Sequence, residues 1–391
     1  MEDPFVALRK FVAPEFIFGR GAMARCAEYA ATFGASRPLI VSDEGVAAAG
    51  WAGRVEAQLQ DAGADFARFY DVSPNPRDAE VMAGAELFLR ERCDMIVAVG
   101  GGSPMDCAKG IGAVATNGGH VLDFEGVDNV PQPMPPLVCV PTTAGTAADL
   151  SQFAIILDLA RRTKIAIISK GMVPDISLSD PETTVTMDAE LSAETGMDAL
   201  THAFEAYASN ASSPVTDLHA LEAVRLIAAS LPLAVERPDD LAARSRMMMG
   251  SLLAGLAFSN ASLGVVHAMA HAMGGLLDLP HGLCNALLLE HAVAFNCPAA
   301  PERYAALGEV LLGRPLTGAP ADEIAGVVGE GLAELRRRLG LGERVQIEPL
   351  SRRAVSDLAA MALADPCVVT NPRRPEASEI EALYAAVLPV A

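Results

Sequence analysis

Basic charge is scarce in this chain. Lys and Arg number 29 against 49 Asp and Glu, a formal balance of −20. No Lys/Arg cluster breaks the acidity. Such a surface repels phosphate backbones and anionic headgroups, which argues against nucleic acid and membrane as partners. Aromatics are also few, with a single tryptophan, Trp51, read as helix packing. The seven cysteines are odd in number and form no C-x-x-C pair, so reduced thiols in a cytoplasmic protein are the simplest expectation. The opening MEDPFVALRKF lacks the basic-then-apolar order of a secretory signal.

Asp, Glu, Lys and Arg are all absent from 247–277. That length can span a bilayer. Yet it holds Ser251, Ser259, Asn260, Ser262, His267 and His271, which suits buried helices lining a polar site.

What is present is enough apolar sequence for two cores: 391 residues, 51% hydrophobic. The pattern changes near residue 185. Before it, short apolar runs at 38–42, 65–69, 95–99, 137–140, 153–157 and 165–169 predict strands, with helical patterns such as 79–92 and 104–115 between them. Strand–helix alternation argues a mainly parallel sheet covered on both faces. After it, Ala- and Leu-rich helical stretches dominate. The expectation is an α/β domain over 1–185 and an all-helical domain over 186–391.

Three turns of the first half suit a nucleotide. MIVAVGGGSPMDCAKG reads as a strand, a turn of Gly100, Gly101 and Gly102, then Ser103, Pro104 and a helix. Backbone amides and the positive end of the helix dipole would face a pyrophosphate. The spacing is not the G-x-G-x-x-G fingerprint, so a tight turn with no ligand explains it equally well. PTTAGTAAD offers the Thr142, Thr143 and Thr146 hydroxyls to phosphate or ribose, or is an ordinary polar loop. In LIVSD, Asp43 ends a strand, where a carboxylate can bond a ribose 2′-hydroxyl and disfavour NADP. A plain helix cap by Ser42 or Asp43 is the alternative.

The second half carries a metal-ligand set. Asp198 and His202 lie four apart in GMDALTHAFEAY, hence on one helix face. His267 and His281 follow in GVVHAMAHAMGGLLDLPHG. One carboxylate and three imidazoles suit a divalent transition ion. His219 and His291 read as structural, and His120 as exposed.

GGGSPMDCAKG, PTTAGT, the Asp180-Pro181 pair, GMDALTHAFEAY, GLAFSNASLGVVHAMAHAMGGLLDLPHGLCNALLL and TNPR together resemble the iron-containing (group III) alcohol dehydrogenases. The likeness runs from about residue 16 to 373. It implies the dehydroquinate synthase-like architecture: an α/β domain that binds NAD, a helical domain that binds the metal, and an active site in the cleft between them. Asp198, His202, His267 and His281 would hold the ion, Fe²⁺ or else Zn²⁺. The coenzyme would meet Gly100, Gly101, Gly102, Ser103, Thr142, Thr143 and Thr146, with Asp43 on the adenosine ribose. Asn75 and Lys164 match coenzyme contacts, and Phe153 a wall of the nicotinamide pocket. His271 would stand in the active site off the metal, orienting substrate or relaying a proton. Phe258 and Cys367 match a small substrate pocket. The implied activity is hydride transfer between a small primary alcohol, or its aldehyde, and NAD, in a homo-oligomer of two or more subunits.

Two departures stand out. Where many relatives read G-S-E after PTTAGT, this chain has Ala147, Ala148 and Asp149. The lost glycine predicts a stiffer loop. AADLSQFAII and SPNPRDAEVMAGAE also resemble a subgroup of alcohol dehydrogenase-like regulatory proteins. A sensor that keeps NAD and metal binding with little turnover is therefore the alternative.

Overall fold

The computed structural model describes residues 10–342 and 347–391. It divides into two compact units, Val12–Met187 and Asp188–Ala391, the latter joined by the described residues 10 and 11.

The first unit is built on β1 (Glu15–Phe18), β2 (Pro38–Val41), β3 (Ala67–Phe69), β4 (Met95–Gly100), β5 (Gly126–Val127), β6 (Leu137–Pro141), β7 (Phe153–Asp158), β8 (Thr163–Ile168) and β9 (Ile176–Ser179). Its helices are α1 (Cys26–Thr32), α2 (Glu44–Ala48), α3 (Trp51–Asp61), α4 (Asp78–Arg90) and α5 (Gly102–Asn117). The main sheet has the order β1-β9-β6-β4-β2-β3, every pair parallel. Successive side chains on a strand face opposite ways. Leu39, Val41, Ile96 and Ala98 accordingly join Val81, Phe88 and Ile111 of α4 and α5 in one core. Ile40, Met95, Val97 and Val99 join Tyr29, Trp51 and Val55 of α1 and α3 in the other. Each buried Val, Leu, Ile, Phe or Met among them contributes roughly 1.5–3 kcal/mol.

The mainly parallel sheet is present, but two of the expected strands do not join it. The runs at 153–157 and 165–169 leave the main sheet and pair antiparallel as β7 and β8, with β5 on the other edge of β8. Only four residues separate β7 from β8, too few for a parallel crossover. Their places are taken by β1 and β9, which the apolar pattern did not announce. β1 is half exposed. β9 carries the polar Ser177 and Ser179, buried because Ser177 Oγ donates to Asp149 Oδ2 at 2.6 Å and lies 2.9 Å from Ser179 Oγ.

From β2 the chain moves to β3 on one side, then to β4 on the other. The switch of direction therefore falls between the carboxyl ends of β2 and β4, where open α/β sheets bind ligands.

The second unit is helical: α6 (Ala189–Ala208), α7 (Pro214–Glu236), α8 (Leu241–Ala261), α9 (Val265–Leu277), α10 (His281–Asn296), α11 (Pro301–Leu312), α12 (Ala321–Arg338), α13 (Arg352–Ala364) and α14 (Ala377–Val387). The stretch 247–277 becomes α8 and α9, bent by 99° at their junction and largely buried. α7 also has the length and hydropathy of a membrane span, but only as a helix packed on α6 and α8.

Candidate metal centre

Asp188 caps α6, its carboxylate accepting the Leu191 amide at 2.8 Å. Further along, the helix turns Asp198 and His202 inward, 1% and 4% exposed. α10 begins at His281, and its next residue is glycine for a packing reason. A Cβ on Gly282 would stand 2.4 Å from the Glu194 carbonyl oxygen, so only glycine lets α10 come this close to α6. α9 adds His267, 1% exposed.

The donor atoms converge. Asp198 Oδ1 lies 3.8 Å from His202 Nε2, 3.5 Å from His267 Nε2 and 3.6 Å from His281 Nε2. Ligands bonded at about 2.0–2.2 Å in a tetrahedron stand about 3.3–3.6 Å apart. Asp198, His267 and His281 fit one ion, their ligand atoms within 4.8 Å of one another, while His202 stands slightly farther out at 3.8 Å from Asp198. The chemistry fits too. Burial works against the charged form of Asp198, yet His202, His267 and His281 hold its carboxyl well below the usual range. Burial likewise opposes a charged His267, but hydrogen bonds to Asp198 and Glu205 push it up to about 9, so a bound ion would have to displace the Nε2 proton.

Three residues that the sequence reading passed over shape the site. Glu205, 6% exposed, accepts the Val266 amide at 2.7 Å and the Nδ1–H of His267 at 2.6 Å. Asn285, fully buried, donates through Nδ2 to Asp198 Oδ1 at 2.7 Å and lies 3.2 Å from the Nε2 atoms of His267 and His281. Among the described residues its Oδ1 has no hydrogen-bond partner. Asp365 pairs with His271 at 2.8 Å. Helical spacing held a signal for two of them: Glu205 follows His202 by three, and Asn285 follows His281 by four.

The other candidates of this unit gather here. Phe258 stacks on His202, centroids 4.2 Å apart. His271 stacks on His281 at 5.3 Å. Cys367 is buried, and burial with the nearby Asp365 pushes its thiol well above the ordinary value, which suits packing rather than nucleophilic attack. His219 bonds its own helix through Val215 O, His291 lies beside Glu290, and His120 caps a short turn at the Leu122 amide.

In the other unit, Asp43, the glycine turn and the threonine loop follow the carboxyl ends of β2, β4 and β6. Gly100 adopts φ 154°, where a Cβ would meet Pro104 at 2.6 Å, and Gly101, Gly102 and Ser103 open α5. The Thr142 amide donates to Gly100 O at 2.9 Å, tying the threonine loop with Thr143 and Thr146 to the glycine turn. Ser103 Oγ donates to Pro74 O, which brings in the loop of Asn75. Asp43 caps α2, its Oδ1 accepting the Val46 amide at 2.8 Å. Phe153 opens β7 and Lys164 lies on β8. Ala147 holds the left-handed conformation, φ 48°, which glycine would adopt without strain.

Both halves match models of one enzyme family. Residues 13–181 match the iron-containing alcohol dehydrogenase model, and 192–388 the Fe-containing alcohol dehydrogenase family C-terminal model. The 1,3-propanediol dehydrogenase of Klebsiella pneumoniae is 41% identical over 369 residues, covering 94% of this chain and 95% of its own. The NAD-dependent methanol dehydrogenase of Bacillus methanolicus is 38% identical over 363 residues, covering 93% and 95%. The crystal structure of a 1,3-propanediol oxidoreductase superposes with a TM-score of 0.92 at 39% identity, covering 97% of this chain and 99% of that one. The chain belongs to the iron-containing alcohol dehydrogenase family.

Proposed function

We propose that this protein is an NAD-dependent dehydrogenase of small primary alcohols, working reversibly on the aldehydes. One observation carries the reading: three imidazole nitrogens stand 3.5–3.8 Å from the Asp198 carboxylate Oδ1. Asp198, His202, His267 and His281 would hold the ion. A divalent ion held there supplies Lewis acidity, which acidifies an alcohol hydroxyl and polarises a carbonyl. NAD supplies the hydride acceptor.

The chain's own residues do the rest. Glu205 keeps His267 with Nε2 toward the ligand cluster, and Asn285 holds one Asp198 oxygen in place. Phe258 and Cys367 give the cluster an apolar surround that excludes water. His271 presents a ring nitrogen for hydrogen bonding. In the α/β unit, the amides opening α5 take the pyrophosphate, while Thr142, Thr143, Thr146, Asn75 and Lys164 fix the coenzyme. Asp43 selects NAD, and Phe153 lines the nicotinamide side.

The family's description makes Fe²⁺ the proposed resident ion, with Zn²⁺ the alternative that the same donors accept. Seven buried free cysteines support a reducing, cytoplasmic setting. The oligomer reading, a dimer or larger, is checked by light scattering. A complete ligand set favours turnover over a purely sensory role, which has less need of all four ligands.

The test is turnover. Protein loaded separately with Fe²⁺ and Zn²⁺ is given NAD and a panel of short primary alcohols and diols, and NADH absorbance is followed. Tight NAD binding without turnover under either metal would replace this reading with the sensory one.

A further inference from the structure

Asp365 and His271 form a buried pair that the ligand set leaves unused. His271 lies in α9, one turn after His267, and is 5% exposed. Its Nδ1 stands 2.8 Å from Asp365 Oδ2. The other carboxylate oxygen, Oδ1, accepts the Cys367 amide at 2.8 Å. Both oxygens are engaged, so the carboxylate cannot rotate without losing a bond. An ionised carboxylate only accepts, so of the two neutral tautomers it selects the one with the proton on Nδ1 and the lone pair on Nε2. The ring is also held in place. It lies 14° from the plane of His281 with centroids 5.3 Å apart, and edge-on to His267 at 6.1 Å.

Asp365, His271 and Cys367 have the spacing of a second metal group, their ligand atoms within 4.8 Å of one another. Hydrogen bonding argues against that use. Nδ1 and the carboxylate already satisfy each other, and the Cys367 thiol is kept protonated by burial and by Asp365.

We propose that Asp365 is a positioning residue that fixes His271 as an Nε2 hydrogen-bond acceptor for the alcohol hydroxyl beside His281. The inference rests on the dehydrogenase reading of the site. A carboxylate behind an imidazole sets its tautomer in the same way in hydrolase triads. A carboxamide at 365 would donate to Nδ1, force the proton onto Nε2 and turn the acceptor into a donor.

The test is a double-mutant cycle in the metal-loaded full-length protein, with 1-propanol and NAD. Asp365→Asn is expected to lower kcat about tenfold or more, leaving the KM for NAD within about twofold and metal content unchanged. Asp365→Glu restores part of the loss. Combined with His271→Ala, Asp365→Asn adds nothing further, because both act through one ring. Multiplying effects, or wild-type kcat in Asp365→Asn or His271→Ala, would overturn the proposal while leaving the dehydrogenase reading intact. Nitrogen-15 shifts of His271 test it even without turnover. Nδ1–H is expected in the wild type and Nε2–H in Asp365→Asn; one tautomer in both rules the positioning role out.

Discussion

Glu205 Oε2 accepts the Nδ1–H of His267 at 2.6 Å, while its Oε1 accepts the Val266 amide at 2.7 Å. One carboxylate on α6 thus anchors the amino-terminal turn of α9 and orients a ligand candidate carried by that turn. The helix dipole favours a negative charge at this end, and the hydrogen bond fixes Nε2 as the nitrogen that faces Asp198.

Glu205→Gln keeps the shape but replaces an acceptor with an amide. Metal affinity should fall by about 10- to 100-fold, the usual effect of losing such a partner. Competition with a chelator measures it, and circular dichroism checks that the helices remain. An unchanged affinity would make Glu205 an anchor of α9 only.

Much of this was legible in the chain because periodicity and chemistry coincide there. Asp198 and His202 share a helix face by spacing alone, and β2, β4 and β6 are plain apolar runs because both faces of a parallel sheet are buried. β9 was hidden because its serines are buried through hydrogen bonds rather than hydrophobicity. The departure of β7 and β8 from the main sheet depends on strand pairing, which a local pattern does not encode. Asp365 comes to His271 from 94 residues away, so no motif joins them. The lost glycine at Ala147 was visible, but not that alanine would keep φ 48°.

Lys109 predicts a link between a buried charge and coenzyme affinity. It is fully buried, and Nζ donates to Ser151 O at 2.9 Å and Phe153 O at 2.6 Å, just beyond the threonine loop. Burial pulls its pKa down, with Asp106 opposing. Lys109→Met keeps the stem and removes the donors. Loss of the bonds outweighs relief of the buried charge, so stability should drop by about 2 kcal/mol. The KM for NAD should rise more than kcat falls. Urea unfolding and coenzyme kinetics test the two halves separately.

Glu194, half-buried one turn before Asp198, gives a pH dependence with a definite sign. Burial first, then the charges of Glu190 and Asp188, push its carboxyl up to about 7 from an ordinary 4.5. The folded state therefore holds this proton more tightly than the unfolded chain does. Its stabilising effect is full below about pH 4.5 and is lost as pH rises through about 7. Glu194→Gln should leave stability near wild type at pH 5 and raise it at pH 8, by on the order of 1 kcal/mol once solvent screening is allowed for. Thermal melts at the two pH values decide; an equal change at both would place the effect in packing.

Asp43 serves two readings at once, and they separate by substitution. Its Oδ1 caps α2 at the Val46 amide, 2.8 Å away, which needs an oxygen but no charge. Discrimination against a 2′-phosphate needs the charge. Asp43→Asn retains a capping oxygen and loses the charge, so stability should stay within about 0.5 kcal/mol. The ratio of kcat/KM for NADP to that for NAD should meanwhile rise about tenfold or more. Asp43→Ala loses both functions, so it should show the same coenzyme shift together with about 1 kcal/mol less stability. If Asp43→Asn leaves the coenzyme ratio where it was, the residue is a helix cap and the choice of NAD is made elsewhere in the turn.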